Sequence, residues 1–231
     1  MNKERCLALF VKYPEKGKVK SRLGRSMDEG MVVLLYRAFI EDLIENLSQG
    51  DYDFRIAAHP GERIGDFRKE FGNAFSYIPQ DGPDLGKRML NSFNRCFSDG
   101  YRSVVVMGSD IPDLPQRIIE EAFQALEKNG AVIGPSHDGG YYLIGFCRES
   151  FLPPVFEGIM WGGDGVFKKT VQILERAGLR FHVLPQWRDI DRPEDIAALI
   201  KDSGKTGFAG SKTMACLRGH GLAPRIVKDS R

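Results

Sequence analysis

Several sequence signatures are scarce in this chain or missing from it, and each absence excludes a class of protein. The 231 residues include four cysteines, at positions 6, 96, 147 and 216 with no CxxC pair, which argues against a zinc site and a disulfide framework. The N-terminal apolar run, Cys6–Val11, is too short for a secretion signal or a membrane-spanning helix. We therefore expect a cytoplasmic protein with no membrane span.

A strong charge of one sign is also missing. Lysine and arginine number 33 against 31 aspartates and glutamates, so the balance does not indicate nucleic acid or a membrane surface as a partner. The phosphate-binding patterns GxxxxGK[ST] and GxGxxG do not occur. The four histidines are scattered, and no Ser/His/Asp or Cys/His arrangement stands out.

The chain does contain a regular alternation of short apolar runs with amphipathic segments, of which 27–47 is the clearest helix. This pattern predicts a three-layer α/β/α sandwich with a mostly parallel sheet. The β-branched run 103–107 is predicted to be a central strand. Strands 131–134 and 141–146 are too close for a crossover, so we expect them to pair as a hairpin and to make the sheet mixed.

The composition changes near residue 203. From there the chain is rich in glycine, lysine and arginine, and it has no sustained periodicity. We predict a domain over residues 1–202 and a basic, glycine-rich tail over 203–231, loosely ordered or packed on a neighbour.

Two aspartates follow apolar strands and lie beside glycines. Asp110 comes after Gly108-Ser109, and Asp138 precedes Gly139-Gly140. Ligands of open α/β sheets bind beyond the carboxyl ends of the strands, and hard cations such as Mg²⁺ prefer oxygen ligands. Asp110 is therefore a candidate metal ligand, and Asp138 a candidate general base or further carboxylate. Both can equally be turn residues.

Two loops have compositions that suit phosphate or nucleotide binding. The first, after the first strand, has four lysines and one arginine in eleven residues, at the place where α/β folds bind phosphate. Its candidates are Lys12, Lys20 and Arg22, with a solvated charged loop as the alternative. The second loop, QDGPDLGKRM, has glycines that allow close backbone approach to a ligand, and its candidates are Gln80, Asp84, Gly86 and Arg88. Asp84 can instead cap the following helix.

Two further positions are ambiguous. Trp161 lies in a glycine-rich loop and is either an acceptor lid or a core residue. Asp191 precedes a predicted helix, and helix capping is enough to explain it. A role as a second carboxylate requires Asp191 to fold back toward Asp110.

Five ordered motifs together resemble a known family, over about residues 5–200. They are KYPEKGKVKSRL, QDGPDLGKRM, VVVMGSDIPDLP, GPSHDGGYYLIGF and DIDRPED. The family is the bacterial glycosyltransferase-like group with a nucleotide-diphospho-sugar transferase fold (type A, GT-A, Rossmann-like), of the kind linked to radical-SAM gene clusters and known as domain of unknown function 2064. Its wider relatives include nucleotidyltransferases for molybdopterin cofactor and for phospholactate.

The resemblance implies roles for these segments. The two loops would surround the nucleotide, Asp110 would match the metal-binding aspartate of a DxD motif, and Gly139, Gly140 and Tyr141 would border the sugar or acceptor. Two departures stand out. Ser21 replaces the usual threonine before the loop arginine, and glycines 162 and 163 replace the usual Ser/Thr after the tryptophan.

Three functions remain open on this basis. The first is a glycosyltransferase that uses Mg²⁺ or Mn²⁺ and moves a sugar from a nucleotide-diphospho-sugar to a small-molecule acceptor. The second is a nucleotidyltransferase that releases pyrophosphate from an NTP. The third is a non-catalytic nucleotide-sugar binding module. The sequence leaves the donor, the acceptor and the oligomeric state open.

Overall fold

A computed structural model describes residues 3–219, and a seven-stranded sheet runs through this part of the chain. The strand order is β3-β2-β1-β4-β6-β5-β7. The strands are β1 (Lys3–Lys12), β2 (Asp53–His59), β3 (Ser76–Pro79), β4 (Tyr101–Gly108), β5 (Ala131–Pro135), β6 (Tyr141–Cys147) and β7 (Phe181–Val183).

Helices cover both faces of this sheet. They are α1 (Ser21–Gly24), α2 (Glu29–Leu47), α3 (Ile64–Phe71), α4 (Leu85–Ser98), α5 (Gln116–Leu126), α6 (Val166–Arg176), α7 (Pro193–Thr206) and α8 (Lys212–Gly219). No helix within residues 3–219 is long and apolar enough to span a membrane.

The side chains of β1 show how the three layers form. Successive residues of a strand point to opposite faces, so Leu7 and Leu9 enter one buried cluster and Cys6 and Ala8 enter the other. The first cluster includes residues of α2, α3, α5, α7 and α8, and the second includes residues of α4 and α6. The predicted α/β/α class is confirmed.

The predicted strand pairing also holds. β4 is the fourth strand of the seven. β6 runs antiparallel to both β4 and β5, while the other neighbouring strands are parallel. Tyr141 follows Pro135 by six residues, which is too short for a crossover. The carboxyl ends of β1, β2, β3 and β4 therefore meet at one edge of the sheet.

The C-terminal part of the described chain differs from the irregular tail that the sequence predicts. α7 continues to Thr206, and α8 packs its buried Met214 and Leu217 in the same core cluster as α2. The carboxylate of Asp42 in α2 accepts hydrogen bonds from the backbone N–H groups of Lys212 and Thr213, at 2.9 and 2.8 Å. Residues 220–231 lie outside the described residues, and the division at 202/203 stays a prediction.

We expect Asp42→Ala to lower the free energy of unfolding by about 1–2 kcal/mol, because a carboxylate that satisfies free N–H groups at a helix start contributes about that much. Urea denaturation measures this change. Asp51→Ala, which removes an exposed carboxylate just beyond α2, is the control and should change stability by less than about 0.5 kcal/mol. Equal stability of the two variants would contradict the anchoring role of Asp42.

Candidate active site

An ion-pair cluster of four residues lies at the carboxyl edge of the sheet. The Lys20 ammonium is 2.6 Å from Oδ1 of Asp110 and 3.0 Å from Oδ1 of Asp191. Arg22 Nη1 is 3.1 Å from Oδ2 of Asp191. The structure thus brings together a residue before α1, a residue after β4 and a residue before α7, which are far apart in sequence.

Lys20 is held in an unusual conformation. Its φ and ψ are both 47°, and among residues 3–219 it is the one residue other than glycine with positive φ. Such a left-handed conformation is disfavoured for side-chain-bearing residues and persists where the surroundings enforce it. The Lys20 side chain is 3% exposed. Burial disfavours its charge, but the carboxylates of Asp110 and Asp191 more than offset this and raise its pKa.

The segment before α7 packs against the loop that follows β4. A role of Asp191 as a second carboxylate requires this proximity. The backbone N–H of Ile190 donates to the carbonyl of Asp110 at 2.8 Å, and Trp187 N–H donates to the Pro135 carbonyl at 3.1 Å. The capping alternative for Asp191 is wrong, because the carboxylate of Asp195 accepts from the backbone N–H groups of residues 191 and 192. The carboxylate of Asp191 instead binds Lys20 and Arg22.

A cavity of about 440 Å³ lies on the first-loop side of this cluster and is called the basic cavity below. Its positively charged lining residues are Lys12, Lys20, Arg22 and Arg88. Tyr36 closes its inner wall, where its hydroxyl forms a hydrogen bond of 2.7 Å with Ser109 and accepts one from the backbone N–H of Lys12 at 3.2 Å.

The second loop is braced by its own hydrogen bonds. The buried amide of Gln80 donates to the carbonyls of Ala57 and Val11 at 2.6 and 3.3 Å, so it ties the loop to β1 and β2. Asp84 caps α4 by accepting from Lys87 N–H at 2.8 Å, and Arg88 Nε donates to Gly82 at 3.0 Å. Gln80 and Asp84 therefore have structural roles in holding the loop, whereas Arg88 also lines the basic cavity.

A second cavity, of about 300 Å³, adjoins the first and shares Asp110 and Asp191 with it. It is called the acidic cavity below, because Asp138 and Asp189 join those two carboxylates in its lining. Its apolar wall includes Phe10, Leu85, Met89, Tyr141, Trp161 and Val166. Gly140 also lines it, whereas Gly139 turns the chain at φ +88° next to the backbone of Asp164.

Trp161 is half-buried, and its surroundings include both the protein core and the wall of the acidic cavity. It packs against the core cluster of α4, and it meets the Tyr141 ring edge-on at a centroid distance of 6.3 Å. Its indole also lies over Gly86, where a Cβ atom would come within 2.6 Å of the indole nitrogen. A residue larger than glycine at position 86 would therefore displace the tryptophan from the cavity wall.

Asp138 and Asp189 are two carboxyl groups on one wall of the acidic cavity. Asp138 accepts from the Ser136 hydroxyl and, at 2.9 Å, from the backbone N–H of Gly140, so it also stabilises its own turn. Burial, followed by the charges of Asp138 and Asp191, raises the pKa of Asp189 to about 6. Asp189 is not among the site residues that the sequence predicts. The spacing Asp-Ile-Asp was the available signal. Alternate residues of an extended segment share a face, and Ile190 between them is buried, so Asp189 is expected on the same face as Asp191.

We expect Asp138→Asn to lower the pKa of Asp189, because the substitution removes the neighbouring charge that most strongly opposes ionisation of Asp189. The value should stay above that of a free aspartate, because burial is the larger cause. Carbon-13 NMR of the carboxyl groups, followed against pH, measures this shift. An unchanged Asp189 titration would show that the two carboxyl groups do not interact.

The fit of a divalent cation can be tested on this geometry. Within residues 3–219 no group of three or more Asp, Glu, His or Cys side chains is arranged to enclose a metal ion. Two carboxylates, of Asp110 and Asp191, do converge on the ammonium of Lys20. An open pair of carboxylates suits Mg²⁺, which is commonly held by one or two carboxylates together with water and substrate phosphates. The residues fit a cation that arrives with a phosphorylated substrate.

Comparison with known proteins identifies the family. The model of a family described as "Uncharacterized protein conserved in bacteria (DUF2064)" matches residues 43–163. A solved structure from Desulfovibrio desulfuricans G20, provisionally named a nucleotide-diphospho-sugar transferase, is 40% identical and has a TM-score of 0.92, with 96% of this chain and 97% of that chain covered. The chain belongs to the DUF2064 family. The resemblance seen in the sequence is thereby confirmed, whereas the link to radical-SAM gene clusters stays a prediction.

More distant relatives of this DUF2064 chain are nucleotidyltransferases. A 2-phospho-L-lactate guanylyltransferase from Methanocaldococcus sp. (strain FS406-22) is 24% identical over 119 residues, or 50% of this chain and 48% of that protein. The chain thus spans about half the length of this curated relative. A nucleotidyl transferase from Methanothermobacter thermautotroptrophicus has a TM-score of 0.56 at 14% identity, with 89% of this chain and 100% of that chain covered, which shows a shared fold. These three proteins are named as transferases, the class that the sequence predicts.

Proposed function

We propose that this DUF2064 chain is a metal-dependent glycosyltransferase that moves a sugar from a nucleotide-diphospho-sugar to a small-molecule acceptor. One observation carries the proposal, namely the Lys20–Asp110–Asp191 cluster at the junction of a basic and an acidic cavity. A nucleotide-diphospho-sugar is divided in the same way. Its anionic diphosphate would suit the basic cavity, and the hydroxyl groups of its sugar would suit the acidic cavity.

The basic cavity supports the placement of the diphosphate. Lys12, Lys20, Arg22 and Arg88 all line it, and hydrogen bonds between such cations and phosphate oxygens are among the stronger ones in proteins. Gln80, Asp84 and Gly86 would shape the nucleotide side, since they fix the loop that opens α4. Positive charge fixed near the leaving diphosphate stabilises the negative charge that develops as the glycosidic bond breaks.

Asp110 is the residue that we propose to hold the divalent cation. Its carboxylate is half-exposed and borders both cavities, and Asp191 is the candidate second carboxylate. A bound Mg²⁺ or Mn²⁺ would neutralise charge on the diphosphate leaving group. In this arrangement Lys20 pairs with both carboxylates and Arg22 pairs with Asp191, so two cations balance the two charges.

The acidic cavity supports the placement of the sugar and the acceptor. Asp138 is exposed at its wall and is our candidate for the general base, which must come within hydrogen-bond distance of the acceptor hydroxyl. Gly140, Tyr141 and Trp161 line the same cavity, and Gly139 shapes the turn beside them.

Nucleotidyl transfer from an NTP is the second candidate. Four cations around the basic cavity also suit a triphosphate, and the guanylyltransferase relative catalyses a reaction of that class. In this case, attack at the α-phosphate would release pyrophosphate rather than a nucleoside diphosphate.

A thermal-shift screen tests the proposal, because a ligand that binds the native state raises the melting temperature. NDP-sugars and NTPs are each added with and without Mg²⁺ or Mn²⁺. We expect a metal-dependent rise with at least one NDP-sugar that exceeds the rise with the matching NTP. A flat response to every nucleotide would contradict both candidate functions.

A further inference from the structure

The two cavities differ in charge, and this difference bears on which sugar or acceptor group the acidic cavity takes. We propose that the acidic cavity accepts an uncharged or cationic hydroxyl-bearing group of about the size of one sugar ring, and that it excludes groups bearing phosphate or carboxylate. This inference rests on the proposed function, because it assumes that the nucleotide phosphates occupy the basic cavity.

The charge of the acidic cavity is the first argument. Asp110, Asp138, Asp189 and Asp191 line it, and among the described residues of its lining there is no lysine, arginine or histidine. Lys20 and Arg22 balance two of these carboxylates from the basic side. The ion pairs found within residues 3–219 do not include Asp138 or Asp189, so an anion placed beside them would be repelled.

The hydrogen-bonding character of the cavity is the second argument. Ionised carboxylates only accept hydrogen bonds, so they match the O–H groups of a sugar or the N–H groups of an ammonium. Tyr141 and Trp161 add aromatic surface that suits the C–H faces of a sugar ring and the charge of a cation. A volume of about 300 Å³ is at the lower end for small-molecule sites.

The inference separates this chain from its guanylyltransferase relative. The 2-phospho-L-lactate named in that relative's activity carries both a phosphate and a carboxylate. Asp138 and Asp189 would face such a molecule without a balancing cation in the lining of the acidic cavity that the structure describes. We therefore expect this DUF2064 chain to discriminate against acceptors of that class.

Three donors test the inference, UDP-glucose, UDP-glucosamine and UDP-glucuronic acid, which share the nucleotide and the sugar ring and differ in charge through one substituent each. GDP-mannose and GDP-mannuronic acid serve in the same way if the protein prefers guanine. We expect calorimetry in the presence of Mg²⁺ to show at least tenfold weaker binding of the uronic acid than of the neutral sugar. Asp189→Asn should reduce this ratio severalfold, whereas Glu157→Gln, an exposed carboxylate outside both cavities, should not change it.

The outcomes distinguish this inference from the proposed function. Equal affinity for the neutral and anionic sugars overturns the inference and leaves the proposed function intact. Failure of every NDP-sugar to bind contradicts the proposed function, and free sugars then decide the inference. In a Trp187→Phe variant, Trp161 fluorescence should respond to glucose or glucosamine at lower concentrations than to glucuronate, and an equal or absent response overturns it.

Discussion

Asp110→Asn is expected to reduce turnover of the donor by two to three orders of magnitude, on the order of 3–4 kcal/mol in the activation barrier. Asparagine keeps the size of the side chain and one oxygen ligand but removes the charge that attracts a divalent cation. A coupled assay for nucleoside diphosphate release measures the change. The melting temperature should move little, because Asp110 is half-exposed and Asp191 still pairs with Lys20.

Asp81→Asn is the matched control for this experiment. Asp81 is exposed in the second loop at the same edge of the sheet, and the contact of its carboxylate with Arg95 is a long one of 3.9 Å. This variant should retain turnover within about twofold. If the Asp110→Asn variant kept its turnover within about threefold of the wild type, Asp110 would not be the residue that holds a catalytic cation.

Lys20→Met is expected to abolish the nucleotide-dependent rise in melting temperature and to destabilise the free protein. Removing one partner of a buried ion pair leaves the other charge unbalanced, at a cost of about 3–5 kcal/mol. About 1–3 kcal/mol is expected here, because Asp110 is half-exposed and solvent screens it. Urea denaturation gives the stability change, and thermal shift with an NDP-sugar and Mg²⁺ gives the binding change.

A control and a double variant separate the two effects of Lys20. Lys18→Met removes an exposed lysine from the same loop and should leave both measurements near wild type. Adding Asp110→Asn to Lys20→Met removes the carboxylate that has lost its partner, whereas Asp191 still pairs with Arg22, so stability should recover in part while nucleotide binding stays lost. A Lys20→Met protein that binds nucleotides as tightly as the wild type would contradict the phosphate role.

The fold and the location of the site follow from local sequence features. The periodicity of α2, the β-branched residues of β4 and the short connection between β5 and β6 are properties of neighbouring residues. The carboxyl ends of parallel strands lie at one edge of their sheet, so loops after β1, β3 and β4 could be expected to meet there. Such local features were enough to predict the α/β class and the family, both of which are confirmed.

Contacts between distant segments could not be predicted in the same way. The bond from Ile190 to the carbonyl of Asp110 turns Asp191 from an expected helix cap into a partner of Lys20. The partner of α8 is Asp42, which is 170 residues away, so the composition of the C-terminal segment alone suggested an irregular tail. Gln80 lies in a motif typical of a ligand-binding loop, but its side-chain amide donates hydrogen bonds to carbonyl groups of β1 and β2.

Phosphorus-31 NMR tests most directly which bond this DUF2064 chain breaks. The protein is incubated with Mg²⁺, which is diamagnetic and leaves the phosphorus signals sharp, and a pool of small-molecule acceptors, together with NDP-sugars in one series and NTPs in another. The account predicts that nucleoside diphosphate appears from an NDP-sugar and that Asp110→Asn suppresses this signal. Release of inorganic pyrophosphate from an NTP, with every NDP-sugar left intact, would contradict it.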